Sequence, residues 1–276
     1  MRLLTLRMAG GTRAGRLDGD TVTVLDAPDV GALLAGGAAA LDAARTATGQ
    51  QMAYAGADLA PLVPRPPKII CVGQNYLAHI NEMGSKAPEY PTLFAKYTRA
   101  LIGPNDDITL PAASERVDWE VELALVIGQG GRHLTAANAM EAVAGYTALN
   151  DISARDWQRR TQQWLQGKTF EGTTPLGPVL VTRDALDISD LEVRCEVDGV
   201  VMQQSRTSDL LFKVADIVAY ASTIITLEPG DIIATGTPSG VGAGRTPPVF
   251  LKPGQTVRTY VEGIGECVNR TVAEKR

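Results

Sequence analysis

Two glutamates interrupt the otherwise apolar stretch from Trp119 to Gly128 and could hold a metal ion. Glu120 and Glu122 lie two residues apart, and along a strand such residues point to the same face. Two buried like charges repel each other, and each is costly to remove from water. A bound cation removes both penalties, and oxygen ligands suit hard ions such as Mg²⁺, Mn²⁺ or Ca²⁺. The alternative is the solvated face of an edge strand, and the apolar residues after Glu122 count against it.

A third carboxylate, Asp151, ends the mostly apolar run over residues 143–150. An Asp at such a place often caps a helix or forms an Asx-turn. Beside two inward-facing glutamates it becomes a candidate third ligand. Three carboxylates that leave positions open for water and substrate are typical of a catalytic site rather than a closed structural one. The sequence therefore predicts a metal site formed by Glu120, Glu122 and Asp151.

His79 and Glu82 form a candidate general base beside the loop-like residues 84–89. On a helical turn, positions 79 and 82 face the same way. A carboxylate beside an imidazole fixes its tautomer and makes it a better base, so the pair could activate a water. The alternative is a solvated His–Glu pair on a surface helix, which the local sequence alone favours. If the pair is catalytic, we expect residues 84–89 to act as a lid.

Three further positions could contact an anionic substrate. Lys168 lies between small and apolar residues and could neutralise a carboxylate or a developing enolate, or it could be a surface lysine at a turn. Arg155 could bind a carboxylate through its two-pronged guanidinium, or pair with Asp156 or Glu171. The small-residue loop over residues 235–242 could bind a carboxylate oxygen, although ordinary turns have the same composition.

Six stretches of the chain resemble, in the same order, the motifs of the fumarylacetoacetate hydrolase family. Together they span about the last three-quarters of the sequence, and several long motifs in fixed order are far more specific than one short pattern. The stretches are V-G-Q-N-Y-L-A-H-I-N-E-M-G (72–84), P-T-L-F-A-K (91–96), V-D-W-E-V-E-L-A-L-V-I-G (117–128), G-Y-T-A-L-N-D-I-S-A-R-D-W-Q (145–158), G-K-T-F-E-G-T-T-P-L-G-P (167–178) and L-E-P-G-D-I-I-A-T-G-T-P-S-G-V-G (227–242).

The resemblance implies a role for each candidate residue. It implies that His79, Glu82 and Lys168 are catalytic, and that the substrate is held by Arg155, Gln158, Thr237 and Tyr76. It also implies a homodimer. The chain departs from the family pattern in two places. Glu171 stands where many relatives have Asp or a small residue, and the polar segment 159–166, with a central Trp, could shape the acyl side of the pocket.

The composition is that of an ordinary globular enzyme. The chain has 276 residues, 45% hydrophobic and 21% charged, with a net charge of −5 that gives no electrostatic case for nucleic acid or anionic membrane. The amino terminus does not read as a signal peptide, and no run approaches the ~20 apolar residues of a membrane helix. Three scattered cysteines predict reduced core residues in a cytoplasmic protein, and His133 is predicted to be a surface residue without a role.

We predict a strand-rich α+β fold in which a small α+β domain (1–63) precedes a catalytic domain (64–276). The proline-rich residues 62–68 form the linker. The resemblance implies that the catalytic domain is a mixed β-roll around a central cavity. The sequence predicts hairpins over 3–26, helix over 31–56, 135–144 and 208–225, and strands at 69–72, 232–234, 255–262 and 266–272.

The predicted function is metal-dependent hydrolysis of a carbon–carbon bond in a β-diketo acid such as an acylpyruvate. The cation would chelate the 2-oxo acid, and His79, oriented by Glu82, would activate water. The alternative is decarboxylation of an oxaloacetate-like acid or isomerisation of a 2-hydroxydienoate, which needs no activated water. A less favoured alternative is a metal-binding protein without catalytic activity.

Overall fold

The computed structural model describes residues 1–275, and most of its regular structure is β-strand. The strands are β1 (Arg2–Met8), β2 (Gly11–Asp18), β3 (Thr21–Val24), β4 (Gln51–Ala53), β5 (Ile69–Gly73), β6 (Thr92–Lys96), β7 (Leu101–Ile102), β8 (Ile108–Leu110), β9 (Val117–Asp118), β10 (Val121–Ile127), β11 (Val143–Asn150), β12 (Ser153–Ala154), β13 (Thr174–Thr182), β14 (Glu192–Val197), β15 (Val200–Arg206), β16 (Ile232–Ala234), β17 (Thr256–Val261) and β18 (Gly265–Ala273). The α-helices are α1 (Val30–Ala35), α2 (Gly37–Thr46), α3 (Leu77–Glu82), α4 (Arg155–Gln158), α5 (Leu165–Lys168) and α6 (Val214–Ile224). Short 3₁₀ turns cover Thr98–Ala100, Ala139–Ala142, Arg183–Ala185, Thr207–Asp209 and Gly242–Gly244.

One large mixed sheet carries the site, and a smaller sheet packs against one of its faces. The large sheet has the order β4-β3-β2-β1-β13-β11-β10-β16-β5-β6, with β7 added beside β13. Most of its neighbours are antiparallel, whereas β16 and β5 run parallel. The smaller sheet has the order β15-β14-β17-β18-β8, and β9 pairs with β12 separately. The prediction of a strand-rich α+β fold is confirmed.

Strand β10 is buried on both faces, which explains its nearly continuous apolar sequence. Leu123 and Leu125 point toward the smaller sheet and share a core with Val193 of β14. Ala124 and Val126 point the other way and join the second core, which lies under α1. Glu122 lies on the same face as these two residues because side chains alternate along a strand. The Glu122 carboxylate therefore lies at one end of the second core.

The helix predicted over residues 135–144 is wrong. Only Ala139–Ala142 forms a turn of 3₁₀ helix, and β11 begins at Val143. The Asn138 side chain accepts a hydrogen bond from the Thr135 N–H and closes a turn there, so the chain enters the sheet at once. The helix-prone segment 31–56 divides into α1, α2 and the short strand β4, and of residues 208–225 only Val214–Ile224 is α-helical. The other predicted strands and the amino-terminal hairpins are present.

The amino-terminal region shares its sheet with the rest of the chain. β1 pairs antiparallel with β13, and the Leu62 N–H donates to the carbonyl of Leu176. Leu62 and Val63 are buried, although prolines follow them directly. Strands from both sides of residue 63 therefore lie in one sheet. The division into domains 1–63 and 64–276 stays a prediction.

The cysteines and the surface agree with the composition. Cys71, Cys195 and Cys267 are all buried and free. His133 is exposed, in a turn with a left-handed backbone conformation. Within residues 1–275 the structure has no helix of the length and hydropathy that crossing a membrane requires.

Candidate active site

The three predicted carboxylates meet at one end of the β10–β11 pair. These strands are antiparallel with Val121 opposite Asn150, so Glu120, just before β10, lies beside Asp151, just after β11. The Asp151 N–H donates to the Glu120 carbonyl at 2.8 Å. Carboxylate oxygens of Glu120, Glu122 and Asp151 all lie within 4.8 Å of one another, and each residue is at least 96% buried.

Three buried cations neutralise most of this negative charge. Lys168 Nζ contacts Glu120 Oε2 at 2.5 Å and Asp151 Oδ2 at 2.8 Å, and Lys96 Nζ contacts Asp151 Oδ1 at 2.6 Å. Arg155 Nη1 contacts the other oxygen of Glu120 at 2.6 Å. Burial alone would raise the pKa of Glu120, but Arg155 and Lys168 hold it well below its usual value. Glu120 is therefore ionised.

Glu122 is the one carboxylate of the three without an ion pair among residues 1–275. Its Oε2 accepts a hydrogen bond from the Gly236 N–H at 2.7 Å. Burial, together with the charges of Asp151 and Glu120, raises the pKa of Glu122 well above its usual value. An unpaired buried acid that faces two other carboxylates, with an all-oxygen donor set, is the arrangement that a divalent cation would complete. The residues present therefore fit a hard divalent ion.

Amide side chains fix the backbone on which these carboxylates stand. Asn150 Oδ1 accepts from the Glu120 N–H at 2.8 Å, and Gln203 Oε1 accepts from the Val121 N–H at 3.0 Å. Asn150 Nδ2 in turn donates to Thr259 Oγ1 in the smaller sheet. The two sheets thus hold residues 120–122 in place, because a fully hydrogen-bonded buried network is rigid.

Asp118 forms a second buried anchor beside the site. Its Oδ2 accepts from Arg155 Nε at 2.8 Å and from the Ala243 N–H at 2.9 Å. Its Oδ1 accepts from the Gly242 N–H at 2.7 Å. Asp118 therefore aims the guanidinium of Arg155 and fixes the loop that follows β16.

A close helix contact brings Lys168 to Arg155. Helices α4 and α5 cross at Gly167, where an added Cβ would lie 2.4 Å from the backbone nitrogen of Gln158 and 2.6 Å from the carbonyl oxygen of Ala154. Only glycine allows this approach. Lys168 also lies 4.9 Å from the centre of the Phe94 ring, whose face favours a cation.

His79 and Glu82 form the expected pair on α3. His79 Nδ1 lies 3.0 Å from Glu82 Oε2, and the Gly240 N–H donates to Glu82 Oε1 at 2.9 Å. Burial would raise the pKa of Glu82, but the hydrogen bonds from His79 and Gly240 lower it below its usual value. An ionised Glu82 fixes the imidazole through Nδ1, so Nε2 is the ring nitrogen left for chemistry.

His79 and the charged cluster line the same cavity, which has a volume of about 410 Å³. Met83 and Ser85 border it, so the segment proposed as a lid begins at the cavity wall. Glu82 and Asp151 lie behind the lining residues. The other lining residues include Gln74, Phe94, Gln158, Arg159, Trp164 and Thr237.

The predicted substrate contacts differ in how well they are placed. Gln158 lines the cavity and accepts a hydrogen bond from Arg155 Nη1 at 3.1 Å. Thr237 also lines it, but its hydroxyl already donates to the Val121 carbonyl and accepts from Gln203 Nε2. Tyr76 is not among the residues that line the cavity: it is buried in the main core, and its hydroxyl has no hydrogen-bond partner in the part of the chain that the structure describes. Its contact with substrate stays a prediction.

Sequence analysis missed the roles of Lys96 and Asp118. Lys96 ends β6 within the quoted motif P-T-L-F-A-K, and a lysine that ends an apolar strand is the one local signal for it. Asp118 could have been singled out as an acidic residue beside the two glutamates. The ion pair suggested between Arg155 and Asp156 or Glu171 does not form, because Arg155 turns inward to Asp118 and Glu120. Glu171 is exposed and pairs with Arg99 instead.

A family model described as fumarylacetoacetate (FAA) hydrolase C-terminal matches residues 68–272. This chain belongs to the fumarylacetoacetate hydrolase family. The match begins at the end of the proline-rich segment and includes every residue of the proposed site.

Curated and solved relatives agree with this assignment. The rat protein "Oxaloacetate tautomerase Fahd2a, mitochondrial" is 49% identical over 216 residues, 78% of this chain and 69% of the relative. The solved 5-carboxymethyl-2-hydroxymuconate delta-isomerase from Mycobacterium smegmatis is 39% identical, with a TM-score of 0.83 over 100% of both chains. The fumarylacetoacetate hydrolase from Exiguobacterium antarcticum is 35% identical, with a TM-score of 0.89 over 99% of this chain and 100% of that one. The names of these relatives are those of enzymes. The rat relative is named as mitochondrial, so it does not support the predicted cytoplasmic location, which stays a prediction.

Proposed function

We propose that this chain is a keto–enol tautomerase of oxaloacetate or a closely similar 2-oxo acid. One observation carries the proposal: His79, which is paired with Glu82, lines the same cavity as Lys168 and the two buried glutamates. The names of the relatives favour isomerisation over hydrolysis, since the rat relative is a tautomerase and a solved relative is an isomerase. The alternative considered from sequence is thus better supported than carbon–carbon bond hydrolysis.

Tautomerisation needs a base at carbon and an acid at oxygen. In the keto-to-enol direction, His79 would take a proton from C3, the C–H electrons would form the C2=C3 bond, and negative charge would develop on O2. Glu82 is placed to keep His79 in one tautomer and to stabilise the imidazolium that forms. The reverse direction returns the same proton from His79 to C3.

Lys168 is the group best placed to act at oxygen. An ammonium has three N–H donors, and Lys168 uses two for Glu120 and Asp151, which leaves one for the substrate. Burial would lower its pKa, but the two carboxylates raise it above its usual value, so Lys168 stays protonated. It can therefore stabilise the enolate oxygen and donate a proton to it.

Glu120, Glu122 and Asp151 are the residues that would hold a divalent ion. When bound, Mg²⁺ or a similar ion would supply Lewis-acid stabilisation to the carboxylate and oxo group of the acid. That the native ion is Mg²⁺, Mn²⁺ or Ca²⁺ is likewise a proposal.

Hydrolysis of an acylpyruvate remains the second candidate, because the same dyad could deprotonate a water, and a solved relative bears the name hydrolase. Three assays on one preparation separate the candidates. They are decay of the enol absorbance of oxaloacetate, release of pyruvate from oxaloacetate, and cleavage of an acylpyruvate, each with Mg²⁺ and with chelator. Acceleration of enol decay well above the other two rates supports the proposal. Dominant acylpyruvate cleavage would replace it with the hydrolase, and no turnover in any assay would favour a non-catalytic metal-binding protein.

A further inference from the structure

Arg159 is a cation in the cavity wall that the proposed chemistry does not use. It follows α4 directly and lines the cavity that holds His79 and Lys168. Its side chain is exposed, and among residues 1–275 no carboxylate forms an ion pair with it. An unpaired arginine beside a substrate cavity has its full hydrogen-bonding capacity available for an anion.

Arg155 lines the same cavity. Its Nε and Nη1 bind Asp118, Glu120 and Gln158, and these contacts hold its guanidinium in place. Arg155 and Arg159 lie one helical turn apart, and the Arg159 N–H donates to the Arg155 carbonyl at 3.2 Å. Both side chains therefore project from the same side of α4.

If the substrate carries two negative charges, one cation beyond those of the buried cluster is needed to balance the charge of the site. The buried cluster contains four carboxylates, at positions 118, 120, 122 and 151, and three cations, at positions 96, 155 and 168. With a divalent ion bound and Glu122 acting as one of its ligands, these seven side chains and the ion together carry one positive charge, which a single substrate carboxylate neutralises. A second substrate carboxylate needs one more cation, and among the described residues Arg159 is the cation of the cavity wall that has no ion pair.

We propose that Arg159 binds the second carboxylate of a dianionic 2-oxo acid and makes the site select dicarboxylates over monocarboxylates. This rests on the proposed function for the position of the first carboxylate. It assigns a use to Arg159, the first residue of the polar segment at which the chain departs from the family pattern.

The chain provides a matched control one residue away. Arg160 carries the same charge, but its guanidinium stacks over the Trp157 ring at 3.5 Å and does not line the cavity. Arg159→Gln and Arg160→Gln therefore make the same change in net charge. The first changes the cavity wall, and the second changes the surface beside Trp157.

The test measures binding of malate and lactate, which differ by the second carboxylate and do not tautomerise. Calorimetry of the full chain with Mg²⁺ present should show tighter binding of malate than of lactate. Arg159→Gln should weaken malate binding about 10- to 100-fold, the effect of losing charge-assisted hydrogen bonds, and change lactate binding less than about twofold. Arg160→Gln should leave both unchanged. Arg159→Lys should lie between, because it keeps the charge and loses the two-pronged geometry.

Three results would overturn the proposal. The first is a native chain that binds malate no more tightly than lactate, and the second is an equal loss of both ligands in Arg159→Gln. The third is an Arg160→Gln variant that loses malate as strongly as Arg159→Gln, which would indicate a general field effect. Because binding is measured without turnover, malate selectivity in a chain that does not tautomerise oxaloacetate would leave this assignment intact and reject the proposed function alone.

Discussion

Replacing Glu122 with glutamine should have opposite effects on stability with and without a divalent ion. Without the ion, Glu122 is a buried acid whose pKa is raised above its usual value by burial and by Asp151 and Glu120. Glutamine keeps an oxygen for the Gly236 N–H and carries no charge. With the ion, the carboxylate becomes a ligand, and the same substitution removes it.

The magnitude follows from proton linkage. Because the folded-state pKa of Glu122 is raised, the folded chain holds a proton that the unfolded chain releases above a pH of about 4.5. Stability contributed by this group therefore falls as pH rises from there, by at most about 1.4 kcal/mol per pH unit. Glu122→Gln lacks this term, so in chelator its advantage over the native chain should grow by up to about 2.7 kcal/mol from pH 5 to pH 7. An ion at 100 times its dissociation constant stabilises the native chain by about 2.7 kcal/mol, which the variant should largely lose.

Urea unfolding at both pH values, with chelator and with Mg²⁺, measures these four differences. Glu115→Gln is the matched control, since Glu115 is exposed and makes no ion pair in the part of the chain that the structure describes. A difference between Glu122→Gln and the native chain that stays constant with pH in chelator would refute the assignment of a raised pKa. A variant that Mg²⁺ stabilises as much as the native chain would show that Glu122 is not a ligand.

Other residues of the site, and the assembly of the chain, can be tested in the same way. Glu82→Gln should slow turnover less than His79→Ala in steady-state assays, because the imidazole keeps its place and loses only its charge partner. Lys96→Met should destabilise the metal-free chain by about 3 kcal/mol in urea unfolding, since it leaves Asp151 Oδ1 unpaired, whereas Lys252→Met on the surface should not. Gly167→Ala should cost about 1–3 kcal/mol and lower activity as α4 and α5 separate, and unchanged stability would contradict the contact seen at Gly167. We expect sedimentation at micromolar concentration to show the homodimer that the family resemblance implies, and a monomer would contradict it.

Local sequence patterns could predict the parts of the site that lie within one element. The two-residue spacing of Glu120 and Glu122 and the three-residue spacing of His79 and Glu82 each fix a shared face. The convergence of Asp151 with the glutamates followed from its place at the end of an apolar run. Those residues lie together in the structure, although their chemical roles stay proposals.

The long-range ion pairs could not be predicted in the same way. Lys96 meets Asp151 across 55 residues, and Arg155 meets Asp118 across 37, and both contacts depend on the order of strands in the sheets. Periodicity also misled at residues 135–144, where the chain turns at Asn138 and enters β11 at Val143 instead of continuing as a helix. The burial of Tyr76 in the main core also depends on tertiary packing, which the local sequence does not reveal.

Tautomerase activity is tested most directly by the rate at which enol oxaloacetate converts to the keto form, measured from the decay of its absorbance with Mg²⁺ present. We expect the native chain to accelerate this decay well above the buffer rate. We expect His79→Ala to slow the catalysed rate about 100- to 10,000-fold, while calorimetry shows unchanged Mg²⁺ binding. A native chain that does not exceed the buffer rate, or a His79→Ala variant as fast as the native chain, would refute His79-dependent tautomerisation.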